Sequence, residues 1–394
     1  MEIRKTSNAS GPSTPARSET IKLLSDLIAE DTTNPPGNES RAAGVVKRFF
    51  ETEGIAYRIF EKEKGRANII GYIGKGHPRL LLACHMDVVP AGEGWDSNPF
   101  KARVDGDKIY GRGAVDNKGP LAGILMAAKT LKKVESSLHG QVIVACVADE
   151  EAGSKAGMRY LLDECGLSAE YAIVPDIEHE LRKIDVAEKG LLFLKVTSFG
   201  KQAHGSAPDE GINAVWHMVE FLKLLKGYDK RMKFKKHALL SPPTLNLGIV
   251  RGGEAANIVP AKCEATIDIR YLPSQSSLAI IGDVKRMLAA VAKKNKKARF
   301  TLEVIDDQKP VAVDGGNALI GMIKKRVVEV TGKKAEIIGI SGTTLIKPLA
   351  AAGVTAVGFS PGKGLAHMSN EYISLAELVH FSETIVLVCM DLLA

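Results

Sequence analysis

The chain has 394 residues, a formal net charge of +7, 45% hydrophobic residues and 25% charged residues. At roughly 150 residues per domain, that length predicts two or three units, and the balance is that of an ordinary globular protein rather than a disordered or fibrous one. No apolar run reaches the ~18 residues of a membrane span, and residues 1–19 lack the apolar core of a secretory signal.

Five scattered cysteines, Cys84, Cys146, Cys165, Cys263 and Cys389, form no CxxC pair. They are expected to be buried reduced thiols of a cytoplasmic protein. The excess positive charge lies in two clusters, 230–237 and 293–299, without any recognisable nucleic-acid motif. Solvated helix ends and loops are the expected setting of those clusters, not RNA.

In chain order, a polar tail over 1–19 leads into a stretch, 20–29, with apolar residues at helical spacing. Strands are predicted over 67–73 and 80–84, a buried helix over 120–131, a strand over 142–147, a helix over 158–162 and a strand over 171–174. This alternation predicts an α/β domain with a largely parallel sheet. The texture then changes. Strand 190–199, helix 213–225, strands 245–250 and 263–270, helix 276–292 and strand 299–304 follow in the order β-α-β-β-α-β, a ferredoxin-like α+β arrangement. A helix over 318–330, strands near 337–340 and 355–359 and a helix over 375–392 close the chain. The expected organisation is a tail (1–19), a discontinuous catalytic domain (20–189 and 306–394) and an inserted domain (190–305).

Polar residues follow the apolar strands. Strand 80–84 runs into His85-Met86-Asp87, strand 142–147 into Asp149-Glu150-Glu151, strand 171–174 into Pro175-Asp176, and strand 355–359 through SPGKGLA to His367. Asp116 sits in a glycine-rich turn, GRGAVDNKG, just before a helix. That turn lacks the GK[ST] ending and the full GxGxxG spacing of phosphate loops. Ligands of open α/β sheets bind outside the carboxyl ends of the strands, so these groups are placed to converge. Two histidines and three carboxylates (His85, Asp116, Glu151, Asp176, His367) suit zinc or a related divalent ion. Strand alternation returns Asp87 to the side of His85, where a carboxylate behind a ligating imidazole fixes its tautomer.

The segments HMDVVP, GRGAVDNKG, ADEEAGS, QAHGSAP and AHMSNEYI together resemble the M20 metallopeptidase family from about residue 20 to the C-terminus. The family includes succinyl-diaminopimelate desuccinylases, acetylornithine deacetylases, aminoacylases, carboxypeptidases and dipeptidases. The resemblance implies a zinc-peptidase-like α/β catalytic domain with two ions, most often zinc, with cobalt or manganese as alternatives. It also implies that the inserted domain is a lid that forms a homodimer. His85 and Asp176 would hold one ion and Glu151 and His367 the other. Asp116 would bridge them, with a cis peptide to Asn117, and Asp87 would orient His85. Glu150 would be the general base and acid. His204 would approach the partner subunit's active site, and Asn257 and Arg270 would bind a substrate carboxylate.

The segment SGTTLIKPL departs from the family's usual GGT-[SD]-x-R-like pattern. Gly342 and Thr344 remain pocket candidates, while Lys347 stands where an arginine is common and would lose bidentate carboxylate recognition. Asp176 occupies a ligand position that is glutamate in many deacylases and aspartate in several peptidases acting on free amino termini. The function expected is amide hydrolysis of an N-acyl amino acid, with a dipeptidase or carboxypeptidase as the alternative. A metal-binding protein without catalysis and a nucleic-acid binder are the readings from other classes.

Overall fold

The computed structural model describes residues 14–394. The chain divides into two compact units, one formed by Met1–Val186, Val313–Ile337 and Thr344–Ala394, the other by Ala187–Ala312 and Ile338–Thr343. The short return of Ile338–Thr343 to the second unit is not evident from the sequence.

The first unit begins with α1 (Thr14–Ala29) and α2 (Ser40–Glu53). Helix α1 starts ahead of the helix expected from residue 20, and residues 1–13 of the expected tail lie outside the described residues. Leu24, Leu27 and Ile28 recur on one face of α1 and are fully buried. Strands β1 (Ala56–Glu61), β2 (Ala67–Gly74) and β3 (Arg79–His85) follow, then the short β4 (Arg103–Asp105) and β5 (Lys108–Tyr110). Helix α3 (Lys118–Lys133), β6 (Gln141–Val147), α4 (Met158–Asp163) and β7 (Tyr171–Val174) complete the alternating part. Within β8 (Lys183–Glu188) the chain passes into the second unit.

The second unit contains β9 (Gly190–Phe199), α5 (Ala214–Met232), β10 (Thr244–Gly252), β11 (Lys262–Tyr271), α6 (Ser277–Lys294), β12 (Arg299–Gln308) and β13 (Val311–Ala312). Its four-stranded antiparallel sheet has the order β10-β11-β9-β12. Leu192, Leu194 and Val196 of β9 pack with Phe221 of α5 and Val284 of α6 in one apolar core. Asn213 starts α5 by accepting the backbone N–H groups of Val215 and Trp216. The two basic clusters extend from the last turns of α5 and α6, where cations favour the helix dipole.

The remaining elements are α7 (Ala318–Thr331), β14 (Glu336–Ile340), α8 (Ile346–Ala351), β15 (Thr355–Gly358), β16 (Tyr372–Ser374) and α9 (Leu375–Leu393). In the first unit the main sheet runs β1-β2-β6-β3-β7-β15-β8. Strands β6, β3, β7 and β15 are parallel neighbours, while β1, β2 and β8 add antiparallel margins. The parallel strands are continuous apolar runs: Leu80–Ala83 and Val144–Ala148 are fully buried, as expected when helices cover both faces. Helix α3 packs on α1 and α9, and α8 on β7 and β15. The chain is thus of the mixed α/β class. No helix among the described residues is long and apolar enough to cross a membrane. All five cysteines are free, four buried and Cys165 partly exposed.

Candidate metal and catalytic centre

The site is built where the parallel strands end. His85 closes β3, Glu150 and Glu151 follow β6, Asp176 follows β7, and His367 lies in the loop after β15. Asp116 comes from the turn between β5 and α3. That turn folds tightly because its glycines allow it. Gly113 has φ +87°, and a Cβ on Gly119 would lie 2.0 Å from the Ala114 carbonyl oxygen. The peptide between Asp116 and Asn117 is cis.

Asp116 presents one oxygen to each histidine. Its Oδ1 lies 2.9 Å from His85 Nε2 and its Oδ2 3.1 Å from His367 Nε2. His85 Nε2 is also 4.0 Å from Asp176 Oδ1, and His367 Nε2 is 3.4 Å from Glu151 Oε2. Two donor triads result, His85–Asp116–Asp176 and Asp116–Glu151–His367, each with its ligand atoms within 4.8 Å of one another.

This donor set fits divalent ions. His85 Nδ1 is 2.9 Å from the Asp87 carbonyl oxygen, which can only accept, so Nδ1 carries the proton. Nε2 then faces two carboxylates, which hold a proton there in the absence of an ion and would accept a divalent cation in its place. Glu151 Oε1 is buried without a hydrogen-bond partner among the described residues, a further acceptor free to face a cation. The electrostatics carry the same signature. Burial opposes protonation of His85, yet Asp116 and Asp87 beside it hold the ring well above the ordinary histidine value. Asp116 and Glu151 raise His367 to about 10. Burial, then the Asp116 charge, pushes Asp176 well up, and burial with the charges of Glu151, Asp87 and Asp116 pushes Glu150 up to about 8.

Residues 81–391 match the family model for Peptidase family M20/M25/M40. The chain belongs to this family. Its members are metallohydrolases that use divalent ions, so the protein is a hydrolase. It is 29% identical to an uncharacterized metallohydrolase of Methanocaldococcus jannaschii, over 93% of this chain and 97% of the relative. It is 30% identical to an acetylornithine deacetylase of Proteus mirabilis, over 90% of this chain and 92% of the relative. In structure it is similar to the aminopeptidase PepT of Bacillus cereus, with a TM-score of 0.76, 21% identity and coverage of 95% of this chain and 98% of that one.

In this M20 chain, Asp87 does more than face His85. Its carboxylate Oδ1 is 3.6 Å from His85 Nδ1, a longer approach than the Asp87 carbonyl makes. The same carboxylate accepts the backbone N–H of Glu150 and of Glu151, each at 3.1 Å, and the Asn34 amide at 2.8 Å. Asp87 therefore sets the loop that carries Glu150 and Glu151. Behind that loop, buried Glu39 accepts from Arg66 and from the Asp149 N–H, while Arg66 donates to Asp149 at 3.0 Å. Asn34, Glu39 and Arg66 are far from Asp149 in sequence and lie outside the recognisable motifs.

The substrate-binding candidates divide between the units. His204 and Asn257 are neighbours in the second unit, where His204 bridges Ile258 and the Gly205 N–H donates to the Asn257 carbonyl at 2.7 Å. The His204 ring is exposed, and its Nδ1 accepts from the Ser206 N–H at 3.2 Å, which leaves Nε2 to act as a donor. Arg270 on β11 donates to both carboxylate oxygens of Asp268, at 2.8 and 3.2 Å, and to the Thr343 hydroxyl beside Gly342. Thr344 and Lys347 belong to the first unit and are buried; the Thr344 hydroxyl accepts the Ile346 N–H at the start of α8.

Proposed function

We propose that this M20 hydrolase is a two-metal amidohydrolase that releases the acyl group of an N-acyl amino acid. The observation that carries the reading is Asp116, with a histidine at each carboxylate oxygen and a second carboxylate beside each histidine. His85 and Asp176 would hold one ion, Glu151 and His367 the other, with Asp116 shared. Zinc suits this mixture of imidazole and carboxylate donors, and cobalt or manganese would substitute for it. Bound there, the ions would polarise the scissile carbonyl and lower the pKa of the attacking water.

The chain's own residues supply the rest. Glu150, fixed through its backbone by Asp87, takes a proton from the attacking water and passes it to the leaving nitrogen. The bond from the acyl carbon to the water oxygen forms first, moving the carbonyl π pair onto its oxygen; that pair returns as the carbon–nitrogen bond breaks and the protonated amine leaves. The His204 Nε2–H is a donor for the oxyanion that develops on the carbonyl. We propose that it reaches the active site of a second copy, in a homodimer formed through the second unit, with lid closure over the substrate. Arg270 and Asn257 would bind the free carboxylate of the substrate, with Gly342 in the backbone beside Arg270. Thr344, whose hydroxyl accepts the Ile346 N–H, and buried Lys347 are kept with Gly342 as proposed pocket residues. We place the enzyme in the cytoplasm.

The 30% identity to an acetylornithine deacetylase supports a deacylase. Asp176, in place of the glutamate common among deacylases, favours the second reading, a dipeptidase or carboxypeptidase. A hydrolysis screen of zinc- and cobalt-loaded protein decides between them, using N-acyl amino acids and dipeptides with free or blocked amino termini. The expected outcome is turnover of N-acyl amino acids that a chelator abolishes and added metal restores. Protein shown to carry two ions that hydrolyses none of these compounds would sink the proposal.

A further inference from the structure

The metal-ligating segments leave one buried ion pair without an assigned task. Arg112 and Glu371 are 1% and 0% exposed, and Arg112 Nη1 lies 2.7 Å from Glu371 Oε2. Both sit in segments singled out by the sequence, GRGAVDNKG and AHMSNEYI, whose Asp116 and His367 are explained and whose Arg112 and Glu371 are not.

The contacts of Glu371 are concentrated on one short stretch. Oε1 accepts the backbone N–H groups of Val115 at 2.6 Å and Asp116 at 3.0 Å, and Oε2 accepts that of Gly113 at 3.2 Å. Its backbone carbonyl accepts the Gly111 N–H at 3.1 Å. Strand β16 then continues this attachment, pairing Tyr372 with Tyr110 of β5. Arg112 extends it in two other directions. Nη1 donates to the Met368 carbonyl at 3.2 Å, next to His367. Nη2 donates to the carbonyls of Pro90 and Ala91, at 3.3 and 3.1 Å, just beyond His85 and Asp87. A planar guanidinium with donors in fixed directions is suited to joining several carbonyls at once, and a lysine is not.

The chemistry of the site explains why such a brace is needed. Asp116, Glu151 and Asp176 are like charges gathered in a small volume, and they repel. The Asp116 turn also turns backbone N–H groups into the protein interior, where each needs an acceptor. A carboxylate that accepts those groups and is itself neutralised by an arginine answers both demands. A similar device holds the other side of His367, where Glu178 Oε2 accepts the N–H groups of Leu365 and Ala366 at 2.9 and 3.0 Å.

We infer that Glu371 and Arg112 are a positioning pair that holds the Asp116 turn, the His367 loop and the segment after His85 in register to bind the two ions. The inference rests on the two-metal reading above. It is tested with purified wild-type protein, Glu371→Gln, and Asp391→Asn as a control. Asp391 pairs with Arg326, a partly buried ion pair whose partners lie on α9 and α7, elements that carry none of the five candidate ligands. Zinc affinity is measured by competition with a chromophoric chelator, together with thermal unfolding and a kcat and KM for the best substrate.

Glu371→Gln is expected to lose about 10–100-fold in zinc affinity and in kcat at subsaturating zinc, with KM near wild type and unfolding still cooperative. Asp391→Asn is expected to lower the unfolding temperature and leave zinc affinity unchanged. Wild-type affinity and kcat in Glu371→Gln would overturn the inference, and so would equal losses of affinity in the two variants. Should Glu371→Gln fail to fold, Arg112→Lys, which keeps the buried charge but not the fork, decides by the same criteria. A wild-type protein that binds no zinc would instead refute the two-metal reading, so the two failures are distinguishable.

Discussion

The two units bury polar groups on different terms. In the first, His85, Asp87, Glu39, Arg112 and Glu371 are all but inaccessible. Each is tied to the backbone or side chain of a loop at the ends of the parallel strands. In the second, the core between one sheet and two helices is mainly apolar, although Glu188, Lys189 and His217 are buried in that unit as well. Its candidate functional groups stand outside that core: His204 is exposed with Ser206 at its ring, and Arg270 is partly buried against Asp268. Edge strand β10 is exposed along most of its length and shows Leu247, Ile249 and Val250 to solvent. Burying so many ionisable groups costs desolvation free energy, which a fold recovers only with good partners or a bound cation. The candidate groups of the first unit are therefore buried and tied to one another. Those proposed for the second unit are exposed or partly buried, and their proposed roles depend on what they meet.

Substitutions test this contrast. The largest effect is expected from Glu150→Gln, which should lower kcat by up to about 10⁴-fold, while two ions per chain remain on metal analysis. Loss of metal together with activity would place Glu150 among the ligands and shift the role of base elsewhere.

His204→Ala should lower kcat by about 10²–10³-fold without changing metal content, because no residue of the cluster bonds to its ring. Mixing this variant with Glu150→Gln under conditions that exchange subunits sharpens the comparison. If the histidine serves a second copy, one site of each mixed dimer is intact and activity returns in part. Proven exchange with no recovery would confine His204 to its own chain.

The smallest effect is expected from Arg270→Ala. It should weaken substrates with a free carboxylate by about 10–100-fold in KM, with little change for amidated ones. Equal rates of the unaltered enzyme on free and amidated substrates would remove the carboxylate from recognition altogether. The internal partner Asp268 makes this the most sensitive of the second-unit assignments, since it already engages the Nε and Nη2 edge of the guanidinium.

Much of the architecture is legible from the chain alone. The order β-α-β-β-α-β of the second unit and the apolar runs that become β3, β6 and β7 follow from local periodicity, because strand and helix repeats are properties of neighbouring residues. The five candidate ligands are visible for a related reason. Each lies at or shortly beyond the end of an apolar strand or in a glycine-rich turn, and in a parallel sheet those ends share one edge.

Other features required the tertiary structure. The return of Ile338–Thr343 to the second unit carries no local mark. That Asp116 lies between two histidines is a matter of distances between segments far apart in sequence. The network behind the site is less visible still. Nothing near Glu39 or Arg66 announces Asp149, and nothing near Asp87 announces that its carboxylate accepts the N–H groups of Glu150 and Glu151. The sequence by itself determined which residue types stand at the strand ends, and hence that the donors gathered there suit a divalent metal ion. Only the tertiary structure decided which carboxylates face a histidine and which hold a loop, because both tasks use the same side chain and differ only in what lies within about 3 Å of its oxygens.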